Sequence, residues 1–218
     1  RRAVVLEAPV RPRRADPRRP DRGTAPLRRR ERAERDVVFR RRAAPLRSAR
    51  GTDSLAALRG ISIVYKGNSP CVVFETIKQT ESGSFFPGSP SKIRFWSSAV
   101  NGGNSIVIAD ENNVPFAPYL GTNDVLAPLS RPSIGISSDG SALFCSMMVA
   151  SSATGGTDTT SYGEIYLTRS SNSGASWYTP ERITPIAPRN DWRYASISPS
   201  NDVNGSNYFV NIIVQKDT

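Results

Sequence analysis

Histidine is absent from the 218 residues, and cysteine occurs only twice. Without histidine, these residues cannot build a Ser-His or Cys-His catalytic pair, nor a His-ligated metal site. Cys71 and Cys145 are too far apart for a metal or redox spacing. No stretch is long and apolar enough to span a membrane as a helix. The opening Arg1-Arg2 is followed by only a short apolar run, Ala3–Leu6, which excludes a signal peptide at this position. The chain begins on arginine rather than methionine, as expected of a fragment.

Residues 1–59 contain no Lys, Asn, Ile, Tyr or Trp. They hold 19 Arg and 7 acidic residues, a net charge of +12, whereas residues 60–218 carry a net −2. The overall +10 therefore belongs to the first quarter alone. The change from an Arg/Ala/Pro palette to one rich in Asn, Ile, Lys and Tyr suggests a frameshifted, fused or miscalled N-terminus. Pro9, Pro12, Pro17 and Pro20 interrupt any helix there. Ala33 to Arg42 could make a short helix without a wide apolar face. Too little apolar area is available to offset ordering entropy, so residues 1–59 are expected to be disordered. An arginine-rich arm can bind nucleic acid, but with Phe39 as its sole aromatic it lacks stacking groups, and that partner is not expected.

From Ile61 onward, short apolar runs alternate with turn residues, which predicts an all-β domain over residues 60–218. Predicted strands are Ile61–Tyr65 and Cys71–Thr76, then Ile93–Trp96 and Ser105–Ala109 across Gly102-Gly103. The order then repeats with Pro132–Ser137, Ala142–Val149, Gly163–Ser170 and Arg182–Thr184. A third copy opens with Tyr194–Ser198, a turn at Asn201–Gly205, and Tyr208–Gln215.

Three strands carry a common core: Ile61-Ser62-Ile63, Ser133-Ile134-Gly135 and Ser196-Ile197-Ser198. Ile63, Ile134 and Ile197 lie 71 and 63 residues apart. Two copies open on arginine, at Arg131-Pro132 and Arg193-Tyr194. Four strands per copy at this period fit propeller blades. Cys71 and Cys145 fall in equivalent strands of successive copies and are expected as small buried apolar residues rather than as a disulfide.

One segment, Ser170-Ser171-Asn172-Ser173-Gly174-Ala175-Ser176-Trp177, resembles the Asp-box of sialidases and related BNR-repeat propellers, Ser-x-Asp-x-Gly-x-x-Trp, with Asn172 in the Asp place. An Asn oxygen can still accept backbone N–H bonds in such a turn. Gly174 can supply a positive φ, Trp177 can cover the turn, and Ser170 can close it. Ser137-Ser138-Asp139-Gly140 lacks the spacing and the Trp and reads as a plain turn. The flanking Tyr166–Arg169 and Pro180–Thr184 extend the resemblance, and the strings at Asp191–Tyr194 and Val214–Thr218 resemble large secreted surface proteins of Bacteroidetes-type bacteria.

The resemblance covers Ile61 to Thr218. It implies about two and a half four-stranded blades of a propeller with roughly six when complete. It also implies secretion or surface display, and either glycan or protein binding or sialidase-type hydrolysis. An Asp-box is an outer-rim fold element and does not itself report catalysis.

A sialidase-type site needs an arginine clamp for a carboxylate, a Tyr nucleophile with a Glu, and an Asp acid/base. Arg131 and Arg193 are the clamp candidates, although the Phe/Tyr-Arg-Ile-Pro motif is missing and their recurrence suits a structural repeat residue. Tyr65, Tyr162 and Tyr208 are the tyrosines considered for the nucleophile. Asp191 and Trp192 are candidates for ligand binding, with the Trp192 ring either stacking on a sugar or packing between blades. Asp110-Glu111-Asn112-Asn113 could offer oxygens to Ca²⁺ but lacks the spacing of a calcium loop, so no metal or cofactor is expected. An incomplete array leaves apolar faces open, and poor solubility is expected of the chain.

Overall fold

A computed structural model describes residues 2–10, 55–78, 91–115, 127–154, 161–186 and 190–217. All regular structure among them is β apart from one 3₁₀ turn at Asn101–Gly103. The strands are β1 (Arg2–Val10), β2 (Leu55–Lys66), β3 (Ser69–Lys78), β4 (Ser91–Ser97), β5 (Ile106–Ala109) and β6 (Leu129–Ser137). They continue with β7 (Leu143–Thr154), β8 (Ser161–Ser170), β9 (Glu181–Arg182), β10 (Asp191–Ile197), β11 (Ser200–Asn204) and β12 (Asn207–Asp217).

Hydrogen bonding groups them into two sheets, neither closed. The first is the antiparallel series β2-β3-β4-β5. The second runs β1-β12-β11-β6-β7-β8-β9, with β10 also paired to β12. Within it, β6 to β9 repeat the antiparallel order of the first sheet. The β10, β11, β12 and β1 portion joins β6 only through a short parallel bridge, Ser200 opposite Ile136 and Asn201 opposite Ser137. It turns back to lie over the other face of β6–β8, giving three layers.

Two side-chain clusters bind the layers. Val73, Ile93 and Phe95 of the first sheet pack with Ile134, Leu143, Cys145, Met147 and Val149. Phe144, Met148, Ile165 and Leu167 pack instead with Trp192, Ile197, Val210, Ile212 and Val214. Alternation along β7 thus sends odd-numbered residues one way and even-numbered ones the other. Because both faces are covered, β7 reads as a nearly continuous apolar run, Leu143-Phe144-Cys145-Ser146-Met147-Met148-Val149.

Several expectations need correction. The first 59 residues were expected to lack order, yet β1 pairs with β12 along its length, from Arg2 opposite Lys216 to Val10 opposite Tyr208. Val4, Val5, Leu6 and Val10 favour a strand once an edge is available to pair with. Residues 55–59 also belong to β2, so the change of composition at residue 60 is no structural boundary. Residues 33–42, considered as a short helix, and the remaining arginine-rich stretch lie outside the described residues. The turn expected over Asn201–Gly205 is a strand for most of its length, with the reversal at Gly205-Ser206. Asn201 stabilises that strand by donating from its amide to the Ile136 and Ser198 carbonyls while accepting the Asn211 N–H.

Candidate functional site

The first strand of each layer, β2, β6 and β10, breaks register at corresponding places. The shifts fall between Ala57 and Ile61, Ser130 and Ser133, and Arg193 and Ser196. At each shift one residue has a left-handed backbone: Gly60 at φ 65°, Arg131 at φ 53° and Tyr194 at φ 55°. A bulge of the G1 type puts one residue in this conformation, and glycine is the unstrained choice. The aligned strings are therefore Gly60-Ile61-Ser62-Ile63, Arg131-Pro132-Ser133-Ile134 and Tyr194-Ala195-Ser196-Ile197.

The three bulges adjoin. A Cβ on Gly60 would stand 2.9 Å from Pro132 Cδ and 3.2 Å from Arg131 Cα, so the first bulge can come this close only without a side chain. The Arg131 guanidinium lies over the Tyr194 ring, 4.2 Å from its centroid. Arg131 N–H donates to Glu75 Oε2 at 3.3 Å. Arg131 is half-buried and Tyr194 exposed, so one face of the pair meets solvent.

This alignment corrects the pairing of the two candidate arginines. Arg131 corresponds to Tyr194, and Arg193 sits one residue earlier. Arg193 Nε donates to Asp191 Oδ2 at 2.6 Å, and Asp191 Oδ1 accepts the Gly163 N–H at 2.7 Å. Asp191 is thereby tied to β8 and to its own strand instead of standing free for a ligand. Trp192 is 5% exposed within the second cluster, with Lys216 Nζ 5.6 Å from its ring centroid. Alternation along β10 turns this ring inward, so it offers no stacking platform for a sugar. The signal for the site was the left-handed residue two places before each Ser-Ile pair, which arginine and tyrosine do not advertise.

The candidate tyrosines are dispersed. Tyr65 is exposed on β2, Tyr162 half-buried on β8. Tyr208 meets Phe144 edge-on with centroids 5.4 Å apart and shares a hydrogen bond with Ser141 Oγ at 3.1 Å. Tyr166 has a Glu two residues away, but burial foremost, and then the Glu164 charge, push its phenol above the usual range. Glu164 is itself paired with Arg182 at 2.9 Å.

The segment resembling an Asp-box joins β8 to β9. Asn172 Oδ1 accepts the Ser176 N–H and the Ser170 hydroxyl, each at 2.9 Å, and Ser170 Oγ accepts the Gly174 N–H at 2.9 Å. Ser173 and Gly174 have φ of 62° and 91°. Trp177 Nε1 donates to Gly174 O at 3.2 Å, and its ring lies 5.3 Å from that of Phe95 in the first sheet. Lys66 Nζ reaches Ser173 Oγ at 2.7 Å. The turn therefore also fastens the first sheet to the second.

The acidic turn at 110–113 is internally bonded. Asp110 Oδ1 accepts the Asn112 N–H at 3.0 Å, Asn113 Oδ1 accepts the Asp110 N–H at 2.9 Å, and Lys92 lies 3.8 Å from Asp110 Oδ2. Among the described residues no three His, Cys, Asp or Glu side chains gather to hold a metal. No helix among them is long and apolar enough to cross a membrane. Cys71 and Cys145 are free and buried, and burial raises both thiol pKa values.

No protein-family model matches the sequence, and no curated protein matches it. Among solved structures, it is similar to a crystal structure of a protein of unknown function from Dyadobacter fermentans DSM 18053, at 14% identity and a TM-score of 0.46. That match covers 76% of this chain and 53% of the other, so the chain spans about half the length of that protein.

Proposed function

We propose that the layers are blades of a sialidase-like β-propeller and that the chain serves as a non-catalytic, secreted or cell-surface module that binds a glycan or a protein. The repeated four-strand order, the bulged innermost strands and the turn between β8 and β9 support the blade reading. The observation that carries the binding reading is the stack of Arg131 on Tyr194 where the innermost strands adjoin. A guanidinium over a ring can still turn N–H groups toward a carboxylate, and an aromatic beside it adds a contact for a sugar or a side chain.

The second reading is an exo-sialidase-type glycoside hydrolase completed by blades outside this chain. Arg131 and Arg193 on adjacent innermost strands favour it, but Arg193 is already paired with Asp191. Titration of the full chain with an acidic sialoside and its neutral counterpart, beside a fluorogenic sialoside assay, separates the readings. Preference for the acidic ligand, lost in Arg131→Ala and without turnover, is expected. Binding that ignores Arg131→Ala, or hydrolysis of the sialoside, would overturn the proposal.

A further inference from the structure

Ser130 Oγ, Ser146 Oγ and Trp192 Nε1 are buried and have no hydrogen-bond partner among the described residues. All three belong to the interface between the second and third layers. Ser130 and Ser146 alternate with Leu129, Cys145 and Met147 of the first cluster, so their side chains point to the other face. Trp192 is a member of the second cluster. The other two tryptophans do find acceptors, Trp96 Nε1 at Gly103 O (2.7 Å) and Trp177 Nε1 at Gly174 O (3.2 Å).

The three residues gather around Met148. Ser130 pairs with Met148 across β6 and β7, and Ser146 lies two residues before it on the same face. Ser130 and Ser146 are therefore diagonal neighbours roughly 7 Å apart, a span that one water molecule can bridge between two hydroxyls. A Cβ on Gly163 would stand 2.4 Å from Trp192 O and 3.2 Å from Met148 Sδ, so β10 crosses beside Met148 at Trp192.

The first interface solves the same place differently. Val73 pairs with Ser62 and Ser146 with Ser133, which sets Glu75 level with Met148. Glu75 Oε2 reaches into the next layer and accepts the Arg131 N–H. Methionine sulfur is a weak acceptor and cannot take over that work. The second interface thus holds a thioether where the first holds a carboxylate, beside two hydroxyls and an indole N–H that still need partners.

We propose that an internal water molecule sits beside Met148, between β7 and β10, and bridges Ser130, Ser146 and Trp192. Water suits this set. Its oxygen accepts from the indole N–H, which can only donate, and each hydroxyl can give or take a further bond. Buried waters typically make about three hydrogen bonds to polar groups that would otherwise go without. Ser130 directly precedes Arg131, and Trp192 lies two residues before Tyr194, so the water stands behind the stacked pair. The proposal does not depend on the glycan or protein reading above.

The test is a crystal structure of the full chain at a resolution that shows ordered water, with thermal melts of Ser130→Ala, Ser146→Ala and the double variant. Density for a water within hydrogen-bond distance of Trp192 Nε1 and both hydroxyls is expected. Each single variant removes one anchor of the shared water and is expected to melt below wild type. The double variant is expected to lose less than the sum of the two, because one water is lost once. A hydroxyl with no partner at all gives the opposite sign, since its removal relieves an unsatisfied buried group and raises the melting temperature. Density with no water there, or with both hydroxyls bonded directly to protein groups, overturns the proposal. So do single variants that melt at or above wild type, or losses that simply add.

Discussion

Gly174→Ala should destabilise the fold through two separable effects. At φ 91°, an alanine is held where its Cβ crowds the following carbonyl, at a cost of about 1–2 kcal/mol. The added methyl would also overlap Cε1 and Cζ of Phe95, a fully buried ring against which Trp177 packs. Overpacking a filled core costs about 1–3 kcal/mol. Together these give about 2–5 kcal/mol, which in a chain of this size lowers the melting temperature by roughly 5–15 °C. Thermal melts followed by circular dichroism measure the total. Phe95→Leu removes the colliding ring edge, so in that background Gly174→Ala should keep only the backbone part. A double-mutant cycle should then show a coupling of about 1–3 kcal/mol. A Gly174→Ala melt within about 1 °C of wild type, or an equal cost in both backgrounds, refutes the reasoning.

The exposed Asp139 carboxylate is held at about 2 by hydroxyl contacts from Ser137 and by the N–H and hydroxyl of Ser141. Its folded value lies below the ordinary 3.8, so its contribution is complete above about pH 4 and disappears as pH falls through about 2. An NMR titration of the carboxyl carbon should show that low midpoint, and one near 3.8 would remove the basis for the claim. Cys71 and Cys145, buried with raised thiol pKa values, should ignore a disulfide reagent at pH 8 until denaturant is added. Fast labelling of the native chain would contradict their placement. Deleting residues 1–10 uncovers one edge of β12, and hydrogen exchange measured by mass spectrometry should rise over 207–217 while 69–78 stays protected. Unchanged protection of β12 would show that β1 does not hold that edge.

The strand order was readable because the apolar runs and their Gly and Asn turns recur at similar spacing. Ser62-Ile63, Ser133-Ile134 and Ser196-Ile197 marked the first strand of each layer, and the spacing of Ser170, Asn172, Gly174 and Trp177 marked the β8–β9 turn. What escaped was what depends on a partner. The run Ala3–Val10 pairs with β12, far along the chain, and a sequence read locally does not show that edge. Trp192 was open to two readings in the sequence, a ring for a sugar or one packed between repeats, and alternation sends it inward while Asp191 and Arg193 bond to each other. Arg131 and Arg193 looked equivalent because both are arginines before a Ser-Ile strand. The equivalence lies instead in backbone conformation, which puts Tyr194 beside Arg131.

The two-faced burial of β7 bears on how the molecule comes apart. Layered repeats can lose an end unit while the rest stays folded, since each touches only its neighbours. Here β7, like β8 beside it, belongs to both clusters, through Leu143, Cys145, Met147 and Val149 on one face and Phe144 and Met148 on the other. Stripping either outer layer would leave half of that strand's apolar side chains in water. The two interfaces therefore share one thermodynamic fate, and the described layers should unfold as a single cooperative unit instead of peeling from either end.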